Sequence, residues 1–181
     1  TWVVSHLSLC GVVRPAGRFA PAMFKAAPQN LLPHDELRRL EEMKQIVARA
    51  TSDMMMSPDW GLTMQLVDLT NGTRDARVLT ELVELLRKRL AVKTLGHIPV
   101  TLDLVEALVK NGGLPVQTAF STKKFMAQMV KLVKAHAVWP GAPRRAKRPS
   151  RESIAVADKA LALLQSWGED FLVQRRRLPL F

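Results

Sequence analysis

Hydrophobic side chains recur at three- and four-residue spacing along most of the chain after Pro33. This is the period of one face of an α-helix, and no stretch shows the strict alternation of a half-buried strand. Stop signals such as Asn71-Gly72 and Asn111-Gly112-Gly113 separate the periodic stretches. The pattern predicts an all-α fold with a short helical turn over 116–120 and longer helices over residues 34–51, 57–71, 73–91, 99–111, 121–136 and 152–172.

The predicted helix starts carry residues whose side-chain oxygen can accept a hydrogen bond from a free backbone N–H group. These candidate N-caps are Asp35, Ser57, Thr73 and Ser121. At the other end, Asn71-Gly72 predicts a left-handed C-cap. The short connections favour neighbouring helices packed in antiparallel pairs, either as a bundle or as a superhelix.

Proline content and charge divide the chain into a central domain and basic flanks. Residues 1–33 contain four prolines, have no sustained helical period and read as an irregular basic extension. An acid-free N-terminus with arginines is also typical of an organelle transit peptide, although its amphipathic spacing is poor. The predicted domain covers 34–173, with a basic loop at 139–151, and a basic tail follows over 174–181.

The net charge of +11, from 27 basic and 16 acidic residues, is concentrated in these flanks and the loop. Residues 1–34 hold three basic residues and no acid, residues 139–151 hold five, and residues 175–177 are three arginines. These eleven account for the whole excess, so the rest of the chain is neutral. A nucleic-acid-binding domain usually places its charge on a folded face, so nucleic acid is not an expected partner of the core.

Catalytic and metal-binding signatures are absent from the sequence. One cysteine and four scattered histidines provide no zinc-ligand spacing, and no Gly-rich phosphate loop or nucleophile motif is present. Asp103 and Glu106 share a helix face, but Glu106 and Lys110 form an ordinary i,i+4 pair. We therefore predict a protein that is not an enzyme and that uses no cofactor or metal. The longest uncharged apolar stretch, residues 2–13, is too short to span a membrane.

Four short motifs, in order, resemble those of VHS domains, the modules of endosomal and Golgi sorting adaptors. The first is ATS at 50–52 with DWGL at 59–62 and Asp68, and the second is Ala76 with LRKRL at 86–90. Residues 102–113 resemble the family's L-x-L-L-E-x-x-V-K-N-C-G string, and LQSW at 164–167 with Phe171 resembles its closing motif. The similarity covers residues 35–172. The resemblance is closest to the signal-transducing adaptor molecules, because they share DWGL.

The resemblance implies a right-handed superhelix of about eight helices and a binding role in vesicle or endosomal protein sorting. It also implies a cytoplasmic protein, peripheral on endosome or Golgi membranes. Eight helices are more than the periodicity predicts. The difference would be made up if the basic loop and residues 152–172 divide into further helices. Two features depart from the family pattern: Gly112 stands where the family usually has cysteine, and the basic loop at 139–151 is an insertion.

Trp60 and Met64 are the candidate ubiquitin-binding residues. They lie one turn apart on the same face of the predicted helix, with Trp60 at its third position. In ubiquitin-binding members of the family, a tryptophan and a leucine at this spacing contact an apolar patch of ubiquitin, and methionine is an adaptable replacement for leucine. The alternative is that Trp60 packs at the helix entrance as a partly buried core residue.

Two basic regions are further candidates. The resemblance places a groove for acidic-dileucine cargo tails near Lys123, Lys124 and Val130, although Thr122, Lys123 and Ala127 depart from the cargo-binding pattern and a solvated helix face is the alternative. The second region could contact anionic membrane lipid such as phosphoinositides, serve as a nuclear-localisation patch or remain flexible charge. Its residues are Arg144, Arg145, Lys147, Arg148 and Arg151.

Overall fold

Seven α-helices make up the described part of the chain in the computed structural model, and no strand occurs in that part. Contacts separate Thr1–Leu31 from Leu32–Phe181, and every feature below belongs to the second unit. The structure describes residues 32–52, 54–55, 57–91, 95–137, 149–171 and 178. The helices are α1 (His34–Ala50), α2 (Trp60–Asn71), α3 (Ala76–Arg89), α4 (Ile98–Asn111), α5 (Leu114–Phe120), α6 (Lys123–His136) and α7 (Arg151–Asp170).

Helix α4 lies at the centre of the core. Nine of its 14 residues are buried, and it packs against α1, α2, α3, α5 and α7. The surrounding helices each bury one apolar face and expose the other, as amphipathic helices do. Three hydrophobic residues at the helical spacing face solvent instead of the core: Leu37, Val130 and Leu161 are 45%, 41% and 54% exposed, because the buried arcs of α1, α6 and α7 are narrower than their hydrophobic patterns.

Three predicted N-caps are wrong by one or two residues, in the same direction each time. Asp59 caps α2, Asp75 caps α3 and Thr122 caps α6, instead of Ser57, Thr73 and Ser121. In each case two residues able to cap follow one another closely, and the later one has the extended backbone and bonds to the first turn. Helix α1 begins at His34 with Pro33 at the cap position and no side-chain cap, so Asp35 lies in the first turn instead.

The predicted left-handed C-cap at Asn71-Gly72 is also wrong. Gly72 has a right-handed conformation, with φ −80° and ψ −9°. The carbonyl of Gly72 instead accepts a hydrogen bond from the Arg39 guanidinium. A side chain from α1 therefore satisfies the end of α2.

Residues 152–172 do not divide into two helices to supply an eighth, because Arg151–Asp170 is one continuous helix of 20 residues. Most of the basic loop at 139–151, residues 1–31 of the extension and most of the 174–181 tail lie outside the described residues. The one described residue of that tail, Leu178, is buried, and the predicted domain boundaries stay a prediction. The handedness of the superhelix stays a prediction.

Gly112 is required by close packing rather than by its backbone angle, since φ is −77° there. A Cβ atom at this position would lie 2.8 Å from Cβ of Val116 and would also collide with the carbonyl oxygen of Leu108. The cysteine that the family usually carries here would not fit this α4–α5 junction without movement of the backbone.

We expect Gly112→Ala to lower the free energy of unfolding by about 1–3 kcal/mol, because the added methyl group overpacks the junction. Gly168→Ala is the matched control: a Cβ atom added at this position in α7 would meet no other group within 4 Å. That variant should gain about 0.5–1 kcal/mol from helix propensity. Urea unfolding of both variants tests the assignment, and equal effects of the two substitutions would contradict it.

Candidate docking surface on helix α2

The N-terminal end of α2 is fixed by Asp59. Its side chain accepts a hydrogen bond from the backbone N–H of Leu62 at 3.0 Å, and its carbonyl accepts one from the hydroxyl of Thr63 at 2.8 Å. Thr63 is buried, so this second bond also satisfies a polar group in the core. As a result, Trp60 is the first residue of the helix and not the third as predicted.

The C-terminal end of α2 is tied to the end of α4 by one side chain. The Asn71 amide donates to the carbonyl of Asn111 at 3.2 Å, and its oxygen accepts from the N–H of Gly113 at 2.9 Å. The two stop signals of the sequence are therefore bonded to each other. Together with the Asp59 cap, this bridge holds α2 at both ends against the core.

The outward face of α2 presents large apolar side chains to solvent. Thr63, Leu66, Val67 and Thr70 point inward, whereas Trp60 is 64% exposed and Met64 is 44% exposed. The exposure of Trp60 excludes the alternative that its ring is a core residue. The one-turn spacing places both side chains on the same side of the helix.

A shallow groove of about 590 Å³ runs between α1 and α2 beside Met64. Its rim is more acidic than basic. Glu42 and Asp68 are exposed there, while the Arg39 guanidinium is engaged by the carbonyl of Gly72 and by Glu36. The residues that line the groove are Arg39, Glu42, Gly61, Met64, Gln65, Asp68, Leu69 and Gly72.

Met54, in the connection before α2, is a further exposed hydrophobic residue, with 90% exposure. Sequence reasoning missed it because methionine is usually counted as core. The run of three methionines at 54–56, between a helix end and the Ser57-Pro58-Asp59 start, was the available signal. Sequence reasoning also missed that α1 forms one side of the groove, because helical periodicity does not show which helices pack together.

The two acids that share a face of α4 are both paired. Oε1 of Glu106 lies 2.7 Å from Nζ of Lys110, and Asp103 pairs with Lys159 of α7. The hydrogen bond that Lys110 donates to Glu106 raises the pKa of Lys110 above its ordinary value. The predicted helix-stabilising pair of Glu106 and Lys110 is confirmed.

The other candidate residues lie away from α2. Lys123, Lys124 and Val130 are all exposed on α6, and Arg151 is the exposed first residue of α7. Their roles stay predictions. Four members of the predicted lipid site are outside the described residues: Arg144, Arg145, Lys147 and Arg148.

Comparison with known families decides what kind of domain carries this surface. The family model described as "VHS domain" matches residues 38–178. The chain belongs to the VHS-domain family. The family and the all-α class predicted from the sequence are thereby confirmed.

The curated relatives of this VHS domain include several TOM1-like proteins. TOM1-like protein 3 of Arabidopsis thaliana is 32% identical over 131 residues, which cover 72% of this chain and 22% of its own length. TOM1-like protein 9 of the same plant is 30% identical over 134 residues (74% and 17%), and TOM1-like protein 2 of Homo sapiens is 26% identical over 129 residues (70% and 22%). The chain thus spans about a fifth of the length of these relatives. These names do not bear out the specific likeness to signal-transducing adaptor molecules, which stays a prediction.

Two further observations concern only the described part of this VHS domain. No helix there has the length and apolar character needed to cross a membrane. No group of three or more histidine, cysteine or acidic side chains there is arranged to hold a metal ion.

We expect Asp59→Ala to lower the free energy of unfolding by about 1 kcal/mol, because the first turn of α2 loses its side-chain acceptor. Asp59→Asn keeps an acceptor oxygen and should retain most of that stability. Thermal unfolding compares the two, and amide hydrogen exchange of residues 60–63 locates the effect. Equal exchange rates in wild type and Asp59→Ala would contradict the capping role.

Proposed function

We propose that this VHS domain is an adaptor module of intracellular protein sorting that binds ubiquitin, or ubiquitinated cargo, through Trp60 and Met64. The observation that carries the proposal is the exposure of both side chains on one face of a helix that is fixed at both ends. A large apolar group held rigidly in solvent is expected at an interaction site, because little entropy is lost when a partner covers it.

The chemistry of the surroundings fits a protein partner rather than a small molecule. The groove beside Met64 is shallow, whereas small-molecule sites enclose most of their ligand. Tryptophan and methionine are enriched at the centres of protein interfaces, where tryptophan often dominates the binding energy. The acidic rim formed by Glu42 and Asp68 suits a partner whose apolar patch is bordered by basic residues.

Weak binding is the expected regime. Two main apolar anchors and a shallow groove form a patch smaller than a standard stable interface, so a single site gives low affinity. Avidity would then come from several ubiquitins on one cargo or several adaptors on one membrane. A cytoplasmic location at endosome or Golgi membranes is part of the same proposal and follows from the sorting role.

An NMR titration of the 15N-labelled chain with unlabelled ubiquitin tests the proposal. We expect shifts on the outward face of α2, with Trp60→Ala weakening the affinity at least about tenfold because the main anchor is removed. Leu161→Ala is the matched control, since Leu161 is also an exposed large hydrophobic but lies on α7. It should bind like wild type.

Met64→Leu separates an apolar contact from a structural effect. Leucine has a similar volume and should keep the affinity within about threefold, whereas Met64→Glu places a charge in the apolar contact and should abolish the shifts. Raising the salt concentration should weaken the affinity only modestly, because the main contact is apolar and salt screens only the acidic rim. No shifts at about 1 mM ubiquitin would reject the proposed function, since even a Kd of that order would produce them.

A further inference from the structure

Four methionines of the described chain differ sharply in their contact with solvent. Met43 of α1 and Met129 of α6 are fully buried, with 0% exposure. Met64 of α2 is 44% exposed, and Met54 in the preceding connection is 90% exposed. Because a dissolved oxidant reaches a sulfur most readily where solvent reaches it, the fold divides these thioethers into a protected pair and an accessible pair.

Met64 is the accessible methionine that belongs to the proposed docking surface. It lines the groove between α1 and α2 and lies one turn from Trp60 on the outward face of the helix. A leucine here would supply an apolar contact of similar volume without a sulfur atom. The thioether therefore brings to this surface a chemistry that the apolar contact itself does not need.

Oxidation converts this apolar side chain into a polar one. A lone pair of the thioether sulfur attacks one oxygen of hydrogen peroxide, and the S–O bond forms as the O–O bond breaks. The sulfur loses two electrons and the peroxide gains them. The proton of the transferred oxygen passes to the departing hydroxide, which leaves as water. The product is methionine sulfoxide, whose S–O group is a strong hydrogen-bond acceptor.

The groove provides little compensation for a sulfoxide oxygen. The carboxylates of Glu42 and Asp68 are acceptors, as the sulfoxide is, and cannot donate to it. The Gln65 amide already donates from Nε2 to Oε1 of Glu42 at 3.4 Å, and the Arg39 guanidinium already donates to the carbonyl of Gly72. A partner that covers the oxidised side chain would therefore bury a polar group in an apolar contact, which opposes binding.

We propose that oxidation of Met64 to its sulfoxide reversibly blocks docking on α2, which makes Met64 a redox-sensitive modification site. The proposal rests on the proposed function, because the binding that is lost is the binding of ubiquitin to this surface. The block is reversible because methionine sulfoxide reductases remove the oxygen as water, while two thiols are oxidised to a disulfide.

The effect should be local to the docking surface. Met64 is not among the residues that α2 buries, which are Thr63, Leu66, Val67 and Thr70. Its oxidation therefore leaves the core packing of the helix in place. Oxidation of Met43 or Met129 would instead put a polar group into the core and destabilise the whole domain. The order in which the methionines react thus separates a local switch from general damage.

Graded treatment of the full chain with hydrogen peroxide, followed by peptide mass spectrometry and titration with ubiquitin, tests the proposal. Met54 and Met64 should gain oxygen before Met43 and Met129 do. At the dose that oxidises Met64, we expect the affinity for ubiquitin to fall at least about tenfold, with an unchanged melting temperature. Methionine sulfoxide reductases with dithiothreitol should restore the affinity.

Two leucine variants are matched controls. Met64→Leu should keep its ubiquitin affinity through the same peroxide treatment, because it has no sulfur at the contact. Met54→Leu removes the more exposed sulfur and should stay as sensitive to peroxide as wild type. The two variants together assign the loss of binding to one sulfur atom.

Three results would overturn the proposal while leaving the ubiquitin contact intact. The first is undiminished binding by a chain whose Met64 is fully oxidised. The second is an equal loss of binding by treated Met64→Leu, which would place the effect at another residue. The third is oxidation of Met64 no earlier than that of Met43. If the untreated chain does not bind ubiquitin, the proposed function itself is rejected and the switch is rejected with it.

Discussion

The burial of α4 is the constraint on which the rest of the architecture depends. A helix with nine of 14 residues buried must be covered on most sides, and α1, α2, α3, α5 and α7 supply that cover. Each covering helix turns one apolar face toward α4 or its neighbours and leaves the other in solvent. Packing against the central helix and its neighbours therefore determines which side of each covering helix is exposed.

On α2 this constraint leaves an apolar outer face, which is unusual because the outer side of a surface helix is normally polar. Thr63 and Thr70 face the core and bond their hydroxyls to helix carbonyls, while Trp60 and Met64 face water. The usual positions of polar and apolar groups are therefore exchanged at these four positions of the helix. Such an inversion costs stability in the isolated domain, and a partner that covers Trp60 and Met64 would recover it.

The sequence predicts the helices well because the periodic stretches are long and the stop signals between them are strong. It misplaces the caps where Ser57 and Asp59, or Thr73 and Asp75, compete, since the choice depends on backbone angles set by packing. It also cannot show that Asn71 bonds to the end of α4, or that α1 and α2 form a groove beside Met64. These features arise between elements distant in sequence, whereas periodicity reports only the local pattern.

Direct contact between ubiquitin and the exposed side chains of Trp60 and Met64 is the central claim, and intermolecular NOEs between the labelled chain and unlabelled ubiquitin test it most directly. Such NOEs arise only between protons in close contact, so they separate a contact from an indirect shift. The account predicts NOEs from the Trp60 ring and the Met64 methyl group to methyl protons of ubiquitin, because these two side chains are the exposed apolar groups of α2. NOEs from ubiquitin only to residues of other helices would contradict it.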